Sequence, residues 1–153
     1  MINTPTRALL TGCLCAVLLS GCGEQRSAPE QELRAWVDTG IEAAEAKERR
    51  RLVGMVSPAY ADARGNERSD VEDLLRVYMF RQNRIVLLPD IEEITVYDDT
   101  AAMIVMTVAM AGKSDGVLGF SADAYRFALE LEKDAGEWHL ISARWGELGD
   151  ELR

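Results

Sequence analysis

Apolar residues recur along this chain at two different spacings, and the change from one to the other falls near Ile85. Ahead of it, Leu33, Trp36, Val37, Gly40, Ile41 and Ala44 return every three or four residues, which lines them along one side of a helix. Ser27-Ala28-Pro29-Glu30 precedes them with capping-box spacing and a proline in the first turn, where its missing N–H is harmless. Leu52, Val53, Met55 and Val56 prolong the helical stretch until Ser57-Pro58, because a proline ring disfavours helical geometry in the residue before it. Tyr60 to Asn66 reads as a loop. A second capping box, Ser69 with Glu72, opens a helix whose inward face is Val71, Leu74, Leu75, Tyr78, Met79 and Gln82, ending near Asn83.

Beyond Ile85 the period falls to two. Ile91, Glu93, Thr95 and Tyr97 alternate with Glu92, Ile94 and Val96, and Asp98-Asp99-Thr100 forms a turn. Ala102 to Ala111 is apolar enough to predict a strand covered on both faces. Gly112 to Gly119 reads as a polar loop, and Tyr125, Phe127, Leu129 and Leu131 point one way while Arg126, Glu130 and Glu132 point the other. Asp134-Ala135-Gly136 turns the chain into a last strand from Trp138 to Trp145, followed by a short acidic tail. Helices first and a meander after them predict an α+β fold, with N-terminal helices packed on a curved antiparallel sheet of about four strands.

The first residues belong to neither pattern. Met1 to Arg7 carries one basic residue, and Ala8 to Leu19 is apolar except for Thr11 and Gly12. That run is too short to cross a bilayer, which takes about 20 apolar residues, and reads as a cleavable export segment. Leu19-Ser20-Gly21-Cys22 resembles the bacterial lipoprotein signal, in which a branched apolar residue and two small ones precede the cysteine that is acylated. The resemblance implies a signal peptide over 1–21, a tether over 22–28 and a domain over 29–153, held on a membrane through acylated Cys22. Cys13 and Cys15 would leave with the signal, so the domain would keep no thiol for a disulfide, a metal or catalysis. Gly23, where the sorting rule of enteric bacteria needs Asp for inner-membrane retention, points to the outer membrane facing the periplasm.

Discarding residues 1–21 removes one arginine and no acid, taking the formal charge from −9 to −10. That balance opposes binding to nucleic acid and to anionic lipid head groups. Lys47-Glu48-Arg49-Arg50-Arg51 reads as a solvated helix face with Glu45 and Arg49 one turn apart, in preference to a docking patch.

The helix order, the Tyr60-x-Asp62 loop, the Tyr125-x-Phe127-x-Leu129 strand and the Glu137-Trp138-His139-Leu140 to Ala143-Arg144-Trp145 strand together resemble the NTF2-like superfamily, also called the cystatin-like cone fold. The resemblance covers residues 30–147 and implies a conical pocket between helices and sheet. Members include isomerases, dehydratases, polyketide cyclases and adaptors, so the fold leaves activity open. In its enzymes the pocket holds a carboxylate base or a His/Asp pair, with a tyrosine as oxyanion donor. Tyr60, Asp62, Tyr78, Met106, Tyr125 and Trp138 are the candidate pocket residues, with Asp90 and His139 as further acid–base candidates.

Each has a plainer role. Asp62 accepts N–H groups of its own turn, Tyr60 packs beneath it, Asp90 is turn chemistry, His139 is an outward edge imidazole, and Arg144 pairs with Glu93 or Glu130 across strands. Met106 and Met110 share a face that Met103 does not, and their thioethers suit an apolar ligand or ordinary core packing. No cluster with metal-ligand spacing and no phosphate-binding glycine loop stands in the sequence, so no metal or cofactor is expected. The expected function is a lipid-anchored, non-catalytic binding module for a protein partner or a small apolar ligand, dimerising through its sheet face as a further option. The alternative is a cofactor-free isomerase, dehydratase or cyclase.

Overall fold

The computed structural model describes residues 27–81, 84–113 and 121–153. The expected signal segment, Cys22, the tether up to Arg26, Gln82, Asn83 and residues 114–120, on which most of the expected Gly112 to Gly119 loop falls, lie outside the described residues. Three helices, α1 (Ala28–Glu45), α2 (Arg49–Gly54) and α3 (Arg68–Arg81), precede four strands. These are β1 (Arg84–Asp98), β2 (Ala101–Lys113), β3 (Ser121–Asp134) and β4 (Glu137–Glu147), paired antiparallel in the order β1-β2-β3-β4. The α+β order and the curved four-stranded sheet are those expected. Among the described residues no helix is long and apolar enough to cross a membrane.

Ser27 caps α1, its hydroxyl accepting the Glu30 N–H at 3.4 Å, while the Glu30 carboxylate turns instead to Arg34 at 2.9 Å. Leu33 and Val37 are buried by α1, and Ala43 is buried where the sequence pattern pointed to Ala44. The charged run is not a continuation of this helix. The chain leaves α1 at Ala46, Lys47 takes a positive φ of 57°, and α2 starts afresh. Glu45 and Arg49 are therefore not a turn apart: Glu45 accepts the Leu87 N–H at 2.9 Å, and Arg49 pairs with Glu72.

Helix α3 begins one residue before the expected cap. Asp70 reaches back to accept the Glu67 N–H at 2.9 Å, so Ser69 with Glu72 is not the capping pair. Leu74 and Tyr78, expected inside, are exposed.

Alternation on β1 is broken by a bulge at Glu92, which lets Ile91, Ile94 and Val96 all reach the inner face opposite Met106, Ile104 and Ala102. Asp90 is not at a turn. It sits mid-strand opposite Thr107 and is exposed. Pro89 is tolerated beside it because β1 is an edge strand. Strand β2 runs on to Lys113, absorbing two residues expected in the loop, and it is covered mainly on one face. Ala102, Ile104, Met106 and Val108 are buried, while Met103, Val105 and Thr107 on the other face are half-buried and Ala109 is exposed.

That outer face carries the cross-strand ion pair Arg126–Glu92 at 2.6 Å, not the expected pairing of Arg144 with Glu93 or Glu130. The Arg126 hydrogen bonds, then that of Thr107, hold the Glu92 carboxyl below the ordinary carboxylate range. Strand β4 is shielded at both ends of its free edge. Near its start Ser57 donates its N–H to the Leu140 carbonyl at 2.9 Å, and near its end Trp145 donates to the Arg153 carbonyl at 3.1 Å. The inner face and α1 enclose the main core, where Leu33, Ile104 and Leu131 are fully buried.

Candidate functional site

The helices do not close down fully on the sheet. Between them lies a cavity of about 280 Å³. From α1 come Trp36, Val37, Gly40 and Ile41; from α2 and the residues after it come Leu52, Met55 and Val56; from α3 come Val71 and Leu75. The floor is the inner face of the sheet: Leu87 of β1, Met106, Val108 and Met110 of β2, Phe127 and Leu129 of β3, and Leu140 of β4. The period of two on the strands and of three to four on the helices aims these side chains at one another. Gly40 faces the Met55 thioether across the wall: a Cβ there would lie 3.4 Å from the Met55 methyl, in van der Waals contact.

Among the described residues the wall contains no acid, base or hydroxyl side chain, and its one side-chain nitrogen is Trp36 Nε1, which is itself buried. A molecule held here touches carbon, three methionine sulfurs and little else. General acid–base catalysis needs a titratable group within hydrogen-bond reach of the reacting proton, and this wall presents none.

Of the residues singled out from the sequence, Met106 is in this wall. Met110 shares its face, and Met103 lies on the other side of the sheet. The remaining candidates are dispersed. Tyr60 is buried under its own loop, 4% exposed, and donates its hydroxyl to Asp62 at 3.1 Å. Asp62 also accepts the Arg64 and Asn66 N–H groups, each at 2.9 Å, and the Asn66 side-chain amide at 2.8 Å. Burial pushes its carboxyl up, but the hydrogen bonds from Asn66, Tyr60 and Arg64 outweigh that and leave it below the ordinary range. Burial and the same carboxylate push the Tyr60 hydroxyl well up.

Tyr78 stands outside the cavity wall with its hydroxyl 3.7 Å from Met110 Sδ; burial, then the charge of Asp123, raises its pKa. Tyr125 borders a separate, polar cleft of about 640 Å³ at the C-terminal tail, with Arg64 and Trp145. Trp138 is buried in the main core and donates its indole N–H to Glu32 at 3.0 Å. His139 lies on the edge strand β4 as expected but is not solvated: it is half-buried opposite Glu132, its Nδ1 covered and without a hydrogen-bond partner among the described residues. It borders an outer groove with Glu32 and Thr39 and is not part of the cavity wall.

The acid-and-tyrosine pocket that the enzyme alternative needs is not assembled among the described residues: Asp62 accepts N–H groups of its own turn and Tyr60 packs against it, the plainer roles expected of both. The residues that sequence reasoning missed, Trp36, Gly40, Leu75 and Phe127 among them, carried only a core signal. Among the described residues no three His, Cys, Asp or Glu side chains converge as a metal site.

No protein-family model and no curated protein matches the sequence. Solved structures do match in shape. One, described as a dehydratase of the NTF2-like family from Streptomyces avermitilis, superposes with a TM-score of 0.68 at 12% identity, over 80% of this chain and 97% of that one. A hexachlorocyclohexane dehydrochlorinase from Novosphingobium barchaimii matches with a TM-score of 0.64 at 11% identity, over 80% and 87%. A third, described as a calcium/calmodulin-dependent protein kinase II association domain, from Xanthomonas campestris, gives 0.68 at 15%, over 80% and 89%. The fold is therefore NTF2-like. Its neighbours include enzymes and an association domain, so the shape is shared across activities.

Proposed function

We propose that this chain is a lipid-anchored binding domain of the bacterial envelope, on the periplasmic side of the outer membrane, which holds a small apolar ligand between its helices and its sheet without chemistry. The observation that supports the binding reading is the composition of the cavity wall, apolar on every element that contributes to it. An apolar cavity is the normal form of a small-molecule site, with a few polar groups added to fix orientation. The described residues of the wall supply none of those polar groups, which suits a ligand recognised by size and hydrophobicity. The enzyme alternative needs a base in the cavity, and Asp62, Asp90 and His139 all stand outside the wall. The anchoring reading rests on Leu19-Ser20-Gly21-Cys22.

The binding test uses N-phenyl-1-naphthylamine, an apolar dye whose emission rises on leaving water. The purified chain is expected to bind one equivalent. Val108→Phe, which enlarges a side chain on the cavity floor, is expected to weaken binding by about tenfold with the fold retained by circular dichroism. Unchanged affinity in that variant would remove the cavity as the site. The anchoring test is the intact mass of the mature protein, expected to begin at a triacylated Cys22; an unacylated mass with the protein in the aqueous fraction would overturn it.

A further inference from the structure

The C-terminal half of α3 is apolar around almost its whole circumference. Val71 and Leu75 face the cavity and Met79 is buried, whereas Leu74, Val77, Tyr78 and Phe80 are 56%, 45%, 39% and 89% exposed. At 3.6 residues per turn these four cover the flank and outer side of the last two turns. A helix apolar on all sides is ordinarily buried, and a solvent-facing one keeps a polar face. Seven large hydrophobic side chains are exposed among the described residues, and four of them sit on this one helix, so the exposure is concentrated and not scattered.

Charge identifies what covers it. Residues 74–81 and 84–89 contain Arg76, Arg81 and Arg84 and no carboxylate, in a chain whose formal charge is −9. Arg76 pairs with Asp73 at 2.8 Å, while Arg81 and Arg84 are exposed, and Asp123 borders the face at Tyr78. A second copy docked here by a two-fold axis would bring the same arginine-framed patch against itself, a net positive surface facing its like. Apolar and aromatic side chains framed by arginine are instead the composition of a helix lying in a lipid headgroup layer, the apolar groups in the acyl boundary and guanidinium groups on phosphates.

We infer that the last two turns of α3 insert into the surface of an anionic lipid bilayer, Leu74, Val77, Tyr78 and Phe80 entering the acyl boundary while Arg81 and Arg84 meet lipid phosphates. The inference stands on the surface of α3 alone and holds whatever fills the cavity. The start of α1 lies at the opposite end of the sheet, where Glu32 meets Lys133 and Trp138. An anchor at Cys22 and insertion of α3 are then two separate attachments, and they lay the domain along the bilayer.

The test uses full-length protein on phosphatidylcholine vesicles with brominated acyl chains, with and without phosphatidylglycerol. Phe80→Trp reports α3, and Tyr97→Trp, 64% exposed beside the β1–β2 turn, is the control; wild type supplies the background of the native tryptophans. Pelleting with vesicles, which the anchor alone accounts for, is scored separately from quenching. The added emission of Phe80→Trp is expected to fall by about twofold on brominated vesicles, more with phosphatidylglycerol, and that of Tyr97→Trp to stay level. Arg81→Glu with Arg84→Glu in the Phe80→Trp chain is expected to abolish the phosphatidylglycerol dependence. Equal quenching at the two positions, no quenching at Phe80→Trp, or a blue shift at Phe80→Trp that grows with protein concentration in the absence of vesicles would each overturn the inference, the last in favour of a protein contact.

Discussion

Removing the Asp62 carboxylate separates a structural carboxylate from a catalytic one. It accepts four hydrogen bonds: from the Arg64 and Asn66 N–H groups, the Asn66 side-chain amide and the Tyr60 hydroxyl. In Asp62→Ala the Tyr60 hydroxyl, on a residue only 4% exposed, loses its partner, a loss of about 1–3 kcal/mol. The turn amides recover water and add about 0.5–1 kcal/mol between them. The sum, about 1.5–4 kcal/mol, corresponds to a fall in Tm of roughly 4–15 °C for a domain of this size.

Thermal melts followed by circular dichroism measure this, with binding of N-phenyl-1-naphthylamine measured well below the transition. Binding is expected to be unchanged. Asp62→Asn keeps the shape but not the charge and is expected to fall between wild type and Asp62→Ala. The carboxyl titrates below its ordinary range in the folded chain, so its contribution is complete above the unfolded-state pKa of about 4 and is lost as pH falls through the lower folded value. The gap in stability between wild type and Asp62→Asn is therefore expected to narrow as pH drops below about 4. A melt within about 1 °C of wild type, or lost dye binding in a folded Asp62→Ala, would refute the structural assignment.

Three other outcomes follow from the packing. Ile104→Ala, at a position with no exposure in the main core, is expected to lose about 2–5 kcal/mol by guanidinium unfolding, and Met103→Ala on the half-open opposite face clearly less. Ala135 holds a positive φ of 47° beside Gly136 at 89° in the two-residue β3–β4 turn, so Ala135→Asn is expected to raise stability by about 0.5–1 kcal/mol. Arg64 stacks 4.1 Å over Trp145 and donates to the Trp145 and Arg153 carbonyls at 2.7 and 3.3 Å; Arg64→Ala is expected to speed hydrogen exchange at the Arg153 and Trp145 amides while leaving dye binding intact.

Much of the architecture was legible because each element buries one face and repeats its own period. The α1 stripe, the parity of Met106 and Met110 against Met103, and the inward run of Tyr125, Phe127, Leu129 and Leu131 were readable for this reason. Long-range contacts were not. Arg49 leaves its helix neighbour for Glu72, Arg126 finds Glu92 on a strand two removed, and the bulge at Glu92 realigns β1; none of these has a local signature. The cavity wall was legible only in Met106 and Met110, for a related reason. Sequence inspection favours groups capable of chemistry, whereas this cavity is built from residues indistinguishable from core until the helices are seen to stand off the sheet. The turn role of Asp62, with Tyr60 beneath it, was legible from their local spacing; the hydroxyl-to-carboxylate bond between them was not.

The most direct measurement is a methyl NMR titration of the protein labelled with [13C-methyl]methionine against N-phenyl-1-naphthylamine. Met55, Met106 and Met110 line the cavity, and Met103, on the opposite face of the same strand, is an internal control. The account predicts large shifts at the first three and none at Met103. Movement of Met103 with the others unchanged, or no movement at saturating dye, would contradict it.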